Sequence, residues 1–368
     1  MTTTIDTTDV DLRDEKPAGE PKDQPRVLRQ HDRDEVMSLV GSLAGAFALV
    51  WITYYEILPW NGLLGFIILW YLAFLTMYAS VTSLNNPRPV VIDRLMTAVF
   101  TGMAILVGFA VVTVLVYTVW RGSKALVHWN FYTQDGARVG PRTPLNVGGI
   151  RNAIVGSLIQ IGIAVVISLP LGLCTAIFLS ESRGWFTRMV RTVVEAMTAV
   201  PDLLAGLFIY VILLREFHLQ PDGLAVALAL TVTMTPIIAR ASEVQLRLVP
   251  GGLREASLAL GSSQWRTVSR VVLPTARPGL ATALILAVAR GIGESAPLLI
   301  VSGASGYYNA NPVSEPMNSL PLYIYTQART GQPLLIERAF GAATILLLIV
   351  LVLFVVTRIV ARQRVGSR

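Results

Sequence analysis

Inside the apolar run Leu280–Ser302 an arginine and a glutamate stand four residues apart, Arg290 and Glu294. Four residues is one turn of helix, so both side chains fall on the same face. A charge at membrane depth costs about 3 kcal/mol on insertion scales and more than about 10 in simulations, and such residues face a bundle interior or a watery cavity. Arg290 is expected near the middle of that run. Two readings are open: the pair handles a solute in a cavity, or it is an intrahelical pair that fixes bundle packing. Gly291 and Gly293 fit both, since small residues let helices approach or leave room for a solute. Ser295 belongs to the same stretch. Asp202, directly after Pro201, is a weaker candidate, because there it can simply complement a helix N-terminus.

Other catalytic arrangements are not in evidence. His31, His128 and His218 are scattered, so no His-Glu-x-x-His zinc site exists. Lys16, Lys22 and Lys124 are each preceded by a residue other than glycine, which excludes a Walker loop. Gly303-Ala304-Ser305-Gly306 has the look of a serine-nucleophile turn, but no histidine lies in an apolar run to activate it, and it is expected to be a loop. No catalytic residue, metal site or cofactor is expected in this chain.

The elements that must position Arg290 are set by composition. Of 368 residues, 53% are hydrophobic and 14% charged, against about 25% charged in soluble domains, and the mean hydropathy is +0.59. This is the composition of a polytopic all-α membrane protein. Apolar runs occupy 38–58, 63–79, 95–120, 154–180, roughly 196–214, 224–238, 280–302 and 339–360, each near the ~20 residues that cross a bilayer. About eight transmembrane helices are expected. Pro59-Trp60-Asn61-Gly62 joins the first two as a tight hairpin, and Trp51, Tyr54, Tyr55, Trp60, Tyr117 and Trp120 fit a membrane interface. Residues 1–35, dense in charge and proline, read as a disordered cytoplasmic tail. Residues 36–80 form the extra hairpin, 81–148 a third span and extracytoplasmic loop, and 149–368 the core. Met1–Asp6 lack the basic start of a cleavable signal peptide, so none is expected.

Eight spans place both termini on one side. The tail, the loops 80–94, 181–199 and 239–277, and the C-terminal end carry more than twice the Lys and Arg of the alternate loops, which include Arg329 and Arg338. The positive-inside rule makes the richer set, and both termini, cytoplasmic. The net charge of +7 is therefore read as loops beside anionic lipid, not as nucleic-acid binding. Lys124, Arg138, Arg142 and Arg151 read as a solvated loop or a contact surface for a binding protein. Cys174 is the one cysteine, so no intrachain disulfide is expected. Trp185–Glu195 has helical amphipathic spacing, and Pro201 then bends the chain into the fifth span. A broken helix at membrane depth is tolerated only beside protein or a watery cavity, so this element is expected to line something.

Residues 239–279 form a cytoplasmic loop with its own pattern. Pro250-Gly251-Gly252 precedes a short helix, Leu253–Leu260. Gly261 fits the residue after a helix end, Ser263 fits an N-cap, and Gln264–Val272 forms a second helix that Leu273-Pro274 ends. Trp265, Val268 and Val272 are expected on one face. Glu255-Ala256-Ser257, Gly261 and Val271-Val272-Leu273-Pro274 resemble the coupling-loop signature of ABC importer permeases, with Ser257 for the second Ala and Val271 for Ile. The resemblance implies a type I (MetI-like) permease core with an extra N-terminal hairpin. It also implies that Glu255, Ala256, Ser257, Gly261, Leu273 and Pro274 belong to a loop docking into a separate ATPase.

A narrower resemblance lies in Ala289–Leu299, which is similar to the Gly-Glu-Thr-Ala-Pro-Leu-Leu segment of phosphate-specific permeases of the PstA type, with Ser295 where Thr is commoner. Ser319–Tyr325 and Pro201–Tyr210 fit the same subunit, and the resemblance covers about residues 95–368. It implies a multi-pass subunit of the bacterial inner membrane that is not itself an enzyme and imports inorganic phosphate. Its partners would be a PstC-like permease, two PstB-like ATPase subunits holding ATP-Mg, and an extracytoplasmic PstS-like phosphate-binding protein. Arg290 would then offer a phosphate charge-assisted hydrogen bonds. Glu294 would pair with it at rest and could accept a proton from hydrogen phosphate, which sulfate lacks. Alternatives are a permease for molybdate or sulfate and an ATP-independent secondary transporter.

Overall fold

The structure, a computed structural model, describes residues 33–58 and 60–361. The tail expected over residues 1–35 lies outside them except for its last three residues, which already belong to the first helix. Every regular element among the described residues is helical. The elements are α1 (Arg33–Trp51), α2 (Leu63–Asn85), α3 (Arg88–Leu126), the single turn α4 (Asn130–Thr133), α5 (Arg151–Glu181), α6 (Trp185–Ala199), α7 (Asp202–Ile209), α8 (Gly223–Arg247), α9 (Gly251–Ala259), α10 (Gln264–Thr267), α11 (Leu273–Gly293), α12 (Leu298–Val301), α13 (Leu320–Ala328) and α14 (Pro333–Ala361). Wider π-helical turns follow α1, α7 and α10. Among the described residues seven helices are long and apolar enough to span a bilayer. An eighth span results if Trp185–Ala199 and Asp202–Glu216, bent by 101°, are counted as one.

The chain divides into two compact units, Met1–Ala110 and Val111–Arg368. In the first, α1 and α2 form a hairpin closed by aromatic contacts. Phe47 meets Trp70 and Phe66 edge-on, with centroids 5.5 and 5.6 Å apart. Tyr54 is buried, donates to the Gly62 carbonyl at 3.0 Å and stands edge-on to Trp60 at 5.7 Å.

In the second unit α5, α8, α11 and α14 pack around a core that includes Ile161, Met234, Ile238, Ala287 and Ile292, with α7 and α12 contributing Ile209 and Leu298. Glycines allow the close approaches. A Cβ on Gly172 of α5 would stand 2.7 Å from Ile238 Cγ2 of α8, and one on Gly206 of α7 2.6 Å from Pro297 Cα. Helices without a hydrophobic drive between them associate through such small-residue contacts. At the opposite extreme of size, Arg338 is fully buried near the start of α14. Its Nη2 donates to the carbonyls of Pro144 at 2.7 Å and Val147 at 2.8 Å, and Nη1 to that of Gly148 at 3.4 Å. This arginine thus pins the loop between α4 and α5. Beside it Lys124 pairs with Glu337 at 2.9 Å, and the Arg151 guanidinium covers the Tyr308 ring at 4.4 Å. Of the four basic residues read as a loop surface, Arg138 and Arg142 are the exposed ones without such a partner among the described residues.

Three expectations are corrected. The run Leu280–Ser302 is not one helix, because α11 ends at Gly293, Glu294 is its extended C-cap, and α12 begins only at Leu298. Pro297 lacks the N–H to continue the ladder and disfavours helix at Ala296. Leu273-Pro274 does not end a helix: Gln264–Gly293 runs as a single 30-residue span. Pro274 falls at the start of α11, where a missing N–H is tolerated, and the π turn Val268–Val272 carries the chain into it. That wider turn also changes the register. Val268 and Val272 are buried, whereas Trp265 is 72% exposed and leaves the expected shared face.

Substituting Gly206→Ala should lower the stability of the purified protein by about 1–3 kcal/mol through overpacking against Pro297. Gly162→Ala, where a Cβ meets nothing within 4 Å, should leave it unchanged or raise it by roughly 0.5–1 kcal/mol. Chemical-denaturation midpoints in detergent compare the two.

Candidate functional site

The break between α11 and α12 opens a recess of 440 Å³ lined by Asp202, Arg290, Gly293, Glu294, Ser295 and Ala296. All four residues read as a pathway from sequence are therefore brought together. Arg290 lies in the last turn of α11, not mid-span. There the partial negative charge of the helix end favours a cation, so its placement is less costly than a central one. Its side chain is 54% exposed and that of Glu294 only 7%. Nε donates to Glu294 Oε1 at 3.4 Å, the one-turn pairing that the spacing implies. Thr233 of α8 donates to the other oxygen, Oε2, at 3.0 Å. The glutamate is thus held from two helices.

Asp202 occupies the first position of α7, directly after its N-cap Pro201, as a helix-complementing acid would. Its carboxylate also accepts from Arg290 Nη2, at 3.4 Å on Oδ1 and 3.2 Å on Oδ2. The cluster is one guanidinium between two carboxylates. The two glycines divide the roles foreseen for them: a Cβ on Gly291 would stand 2.6 Å from Met234 Sδ, whereas one on Gly293 meets nothing within 4 Å and would project into open space. A second recess, of 350 Å³, shares Asp202 and Arg290 with the first and reaches Met197, Thr198, Thr233 and Arg240.

The coupling segment stands clear of the bundle. Glu255 and Ala256 of α9 are exposed, as are Leu253, Leu258 and Leu260. Gly261 adopts φ +81°, the left-handed conformation that ends many helices. Ser263 caps the next helix, accepting from Arg266 N at 3.4 Å. Ser257, the departure from the commoner alanine, lies 2.9 Å from Thr267 Oγ1, so its hydroxyl joins the two short helices. Leu273 and Pro274 open α11. Sequence reasoning did not find what fastens this segment. Arg254 donates to the Leu246 carbonyl at 2.7 Å and pairs with Glu181 at 3.2 Å, tying α9 to the ends of α8 and α5. Nor did it find the ion cluster nearby. Glu243 of α8 is buried and pairs with Arg191 of α6 at 2.8 Å, Arg247 at 2.8 Å and Arg240 at 3.5 Å, and Arg240 also reaches Glu195 at 3.2 Å. The one available signal was the i, i+3 and i, i+4 spacing of Arg240, Glu243 and Arg247. The apolar residues of α6, Trp185, Phe186, Met189 and Val193, are exposed, as a helix lying in an interface presents them.

A charged recess at a broken membrane helix, with that same helix rooted in an exposed pair of short helices, fits a transport component rather than an enzyme. The chain belongs to the binding-protein-dependent transport system inner membrane components, whose family model matches residues 168–365. It is 38% identical over 241 residues to phosphate transport system permease protein PstA 1 of Mycobacterium tuberculosis, covering 64% of this chain and 79% of the relative. It is 33% identical over 223 residues to the PstA permease of Pasteurella multocida, covering 60% and 79%. Among solved structures, an inward-facing MetNI methionine ABC transporter matches 57% of this chain and 92% of its own, at 22% identity and a TM-score of 0.46. The chain is thus a multi-pass inner membrane protein that works within a multi-subunit transport system.

Replacing Glu243 by Gln leaves three arginines without their shared countercharge. Hydrogen exchange of the backbone amides in α6 should accelerate severalfold while α5 and α8 stay protected. Unchanged α6 protection would show that Glu243 does not fasten it.

Proposed function

We propose that this chain is the PstA-type permease of an ATP-driven inorganic phosphate importer. It supplies half of the translocation pathway, and a PstC-like permease supplies the other half. A PstS-like binding protein delivers phosphate from outside, and two PstB-like ATPase subunits bind ATP-Mg. Both termini lie in the cytoplasm, on the side of the docking segment. The observation that carries this reading is a continuous helix. Residues Gln264–Gly293 join the exposed coupling turn at one end to Arg290 at the other, so a displacement imposed on the docking segment reaches the charged recess through one continuous element. The identity to phosphate permeases selects the substrate.

In this reading the ATPase engages α9, gripping Leu253, Leu258 and Leu260 around Glu255 and Ala256. Gly261 and the Ser257–Thr267 contact keep α9 and α10 as one piece. Arg254 passes the displacement to α5 and α8. At the far end Arg290 offers a phosphate oxygen the guanidinium donors, and Ser295 adds a hydroxyl to the lining. Glu294 stays fixed by Thr233 and can accept a hydrogen bond from the P–OH of hydrogen phosphate, a donor that sulfate lacks, which gives a physical basis for refusing sulfate.

Uptake of radiolabelled phosphate at low external concentration, in cells lacking this chain, tests the assignment. Wild type should restore uptake and Arg290→Gln should lose it with the complex assembled. An assembled wild type that restores none sends the assignment to molybdate or sulfate. A Leu258→Asp, Leu260→Asp double variant should insert normally yet lose co-purification of the ATPase. Retained co-purification would move the docking surface elsewhere.

A further inference from the structure

The two recesses beside Arg290 have just two lining residues in common, Asp202 and Arg290. Their ion pair, at 3.2 Å, stands where one recess meets the other. One recess opens at the break in α11; the other runs toward Thr198 and Arg240, at the end of the bundle where α6 is fastened.

The charge count says which partner leaves. With Asp202 and Glu294 both on one guanidinium, the cluster carries an excess negative charge, and an incoming oxyanion is repelled unless one carboxylate withdraws. Glu294 is the poor candidate, being buried, bonded by Thr233 and fixed one turn from Arg290 on its own backbone. Asp202 is 35% exposed, comes from a different helix, and its side-chain hydrogen bonds are to Arg290. It also sits at the first position after the 101° bend between α6 and α7. Any change in that angle moves Asp202 relative to α11.

Resting on the permease reading above, we propose that Asp202 is a resident latch. Its carboxylate occupies Arg290 while no oxyanion is bound, and an arriving tetrahedral oxyanion displaces it from the same donor. The latch is an internal competitor that holds down passive occupancy of Arg290 by an oxyanion.

The test uses the assembled transporter in proteoliposomes preloaded with radiolabelled phosphate. Without ATP, Asp202→Asn should raise phosphate leak by roughly fivefold, the most that a part-exposed ion pair supplies, because phosphate no longer competes with a carboxylate for Arg290. In an Arg290→Gln background the same substitution should add no further leak, because the partner is already gone. Asp202→Ser is the second variant should Asn fail to assemble, with the same leak expected. Leak equal to wild type in an assembled variant overturns the latch and leaves the permease reading standing. So does a further rise in the Arg290→Gln background, since Asp202 would then act on something else. A wild-type complex that moves no phosphate under ATP removes the permease reading itself, and the latch with it.

Discussion

A guanidinium cannot shed its proton inside a protein, so Arg290 must be solvated or paired wherever the fold puts it. Much of the second unit is arranged around that requirement. The helix stops at Gly293, which leaves Arg290 at a favourable helix end beside open space. The bend at Pro201 brings Asp202 to one nitrogen, and the C-cap places Glu294 at another. Thr233 in turn satisfies the carboxylate that is buried to do this. Glycines at 206 and 291 then let α7 and α11 close on Pro297 and Met234 without a side chain between them.

The same arrangement has a mechanical side. α11 is stiff from the π turn at Val268–Val272 onward, and the π turn is the place where it can yield. α6 is not free to drift as the bundle moves, since Glu243 gathers Arg191 of α6 with two arginines of α8, and Glu195 answers from the other side. Such a multiply paired buried carboxylate fixes geometry more than it adds stability. The α9 segment is fastened by Arg254 in similar fashion, one guanidinium spanning two helix ends.

What was legible in the sequence divides along range. The spans, the amphipathic α6 and the bend at Pro201 follow from periodicity and proline, which act locally. So do the caps at Gly261 and Ser263, because each needs just a few neighbouring residues. Pro274 misled because proline ends a helix in its interior yet is welcome at a start, and the π turn that makes position 274 a start has no composition of its own. The pairing of Arg290 with Glu294 was visible as a one-turn spacing. Its pairing with Asp202 was not, since 88 residues separate the two, and Thr233 carries no mark that sets it apart from Thr231 or Thr235. Arg338 counted as one more outer-loop cation, and only a loop some 190 residues earlier explains its burial.

That last contact orders the making of the protein. The carbonyls of Pro144, Val147 and Gly148 emerge from the ribosome long before α14; Asn130 and the Val147 amide already reach Gly148 and Pro144, and Arg338 adds the donors that tie all three together. The loop between α4 and α5 therefore completes its hydrogen bonding only when the last helix is in place. A chain cut short before α14 leaves this loop unpinned, its backbone open to water. The finished chain hides it.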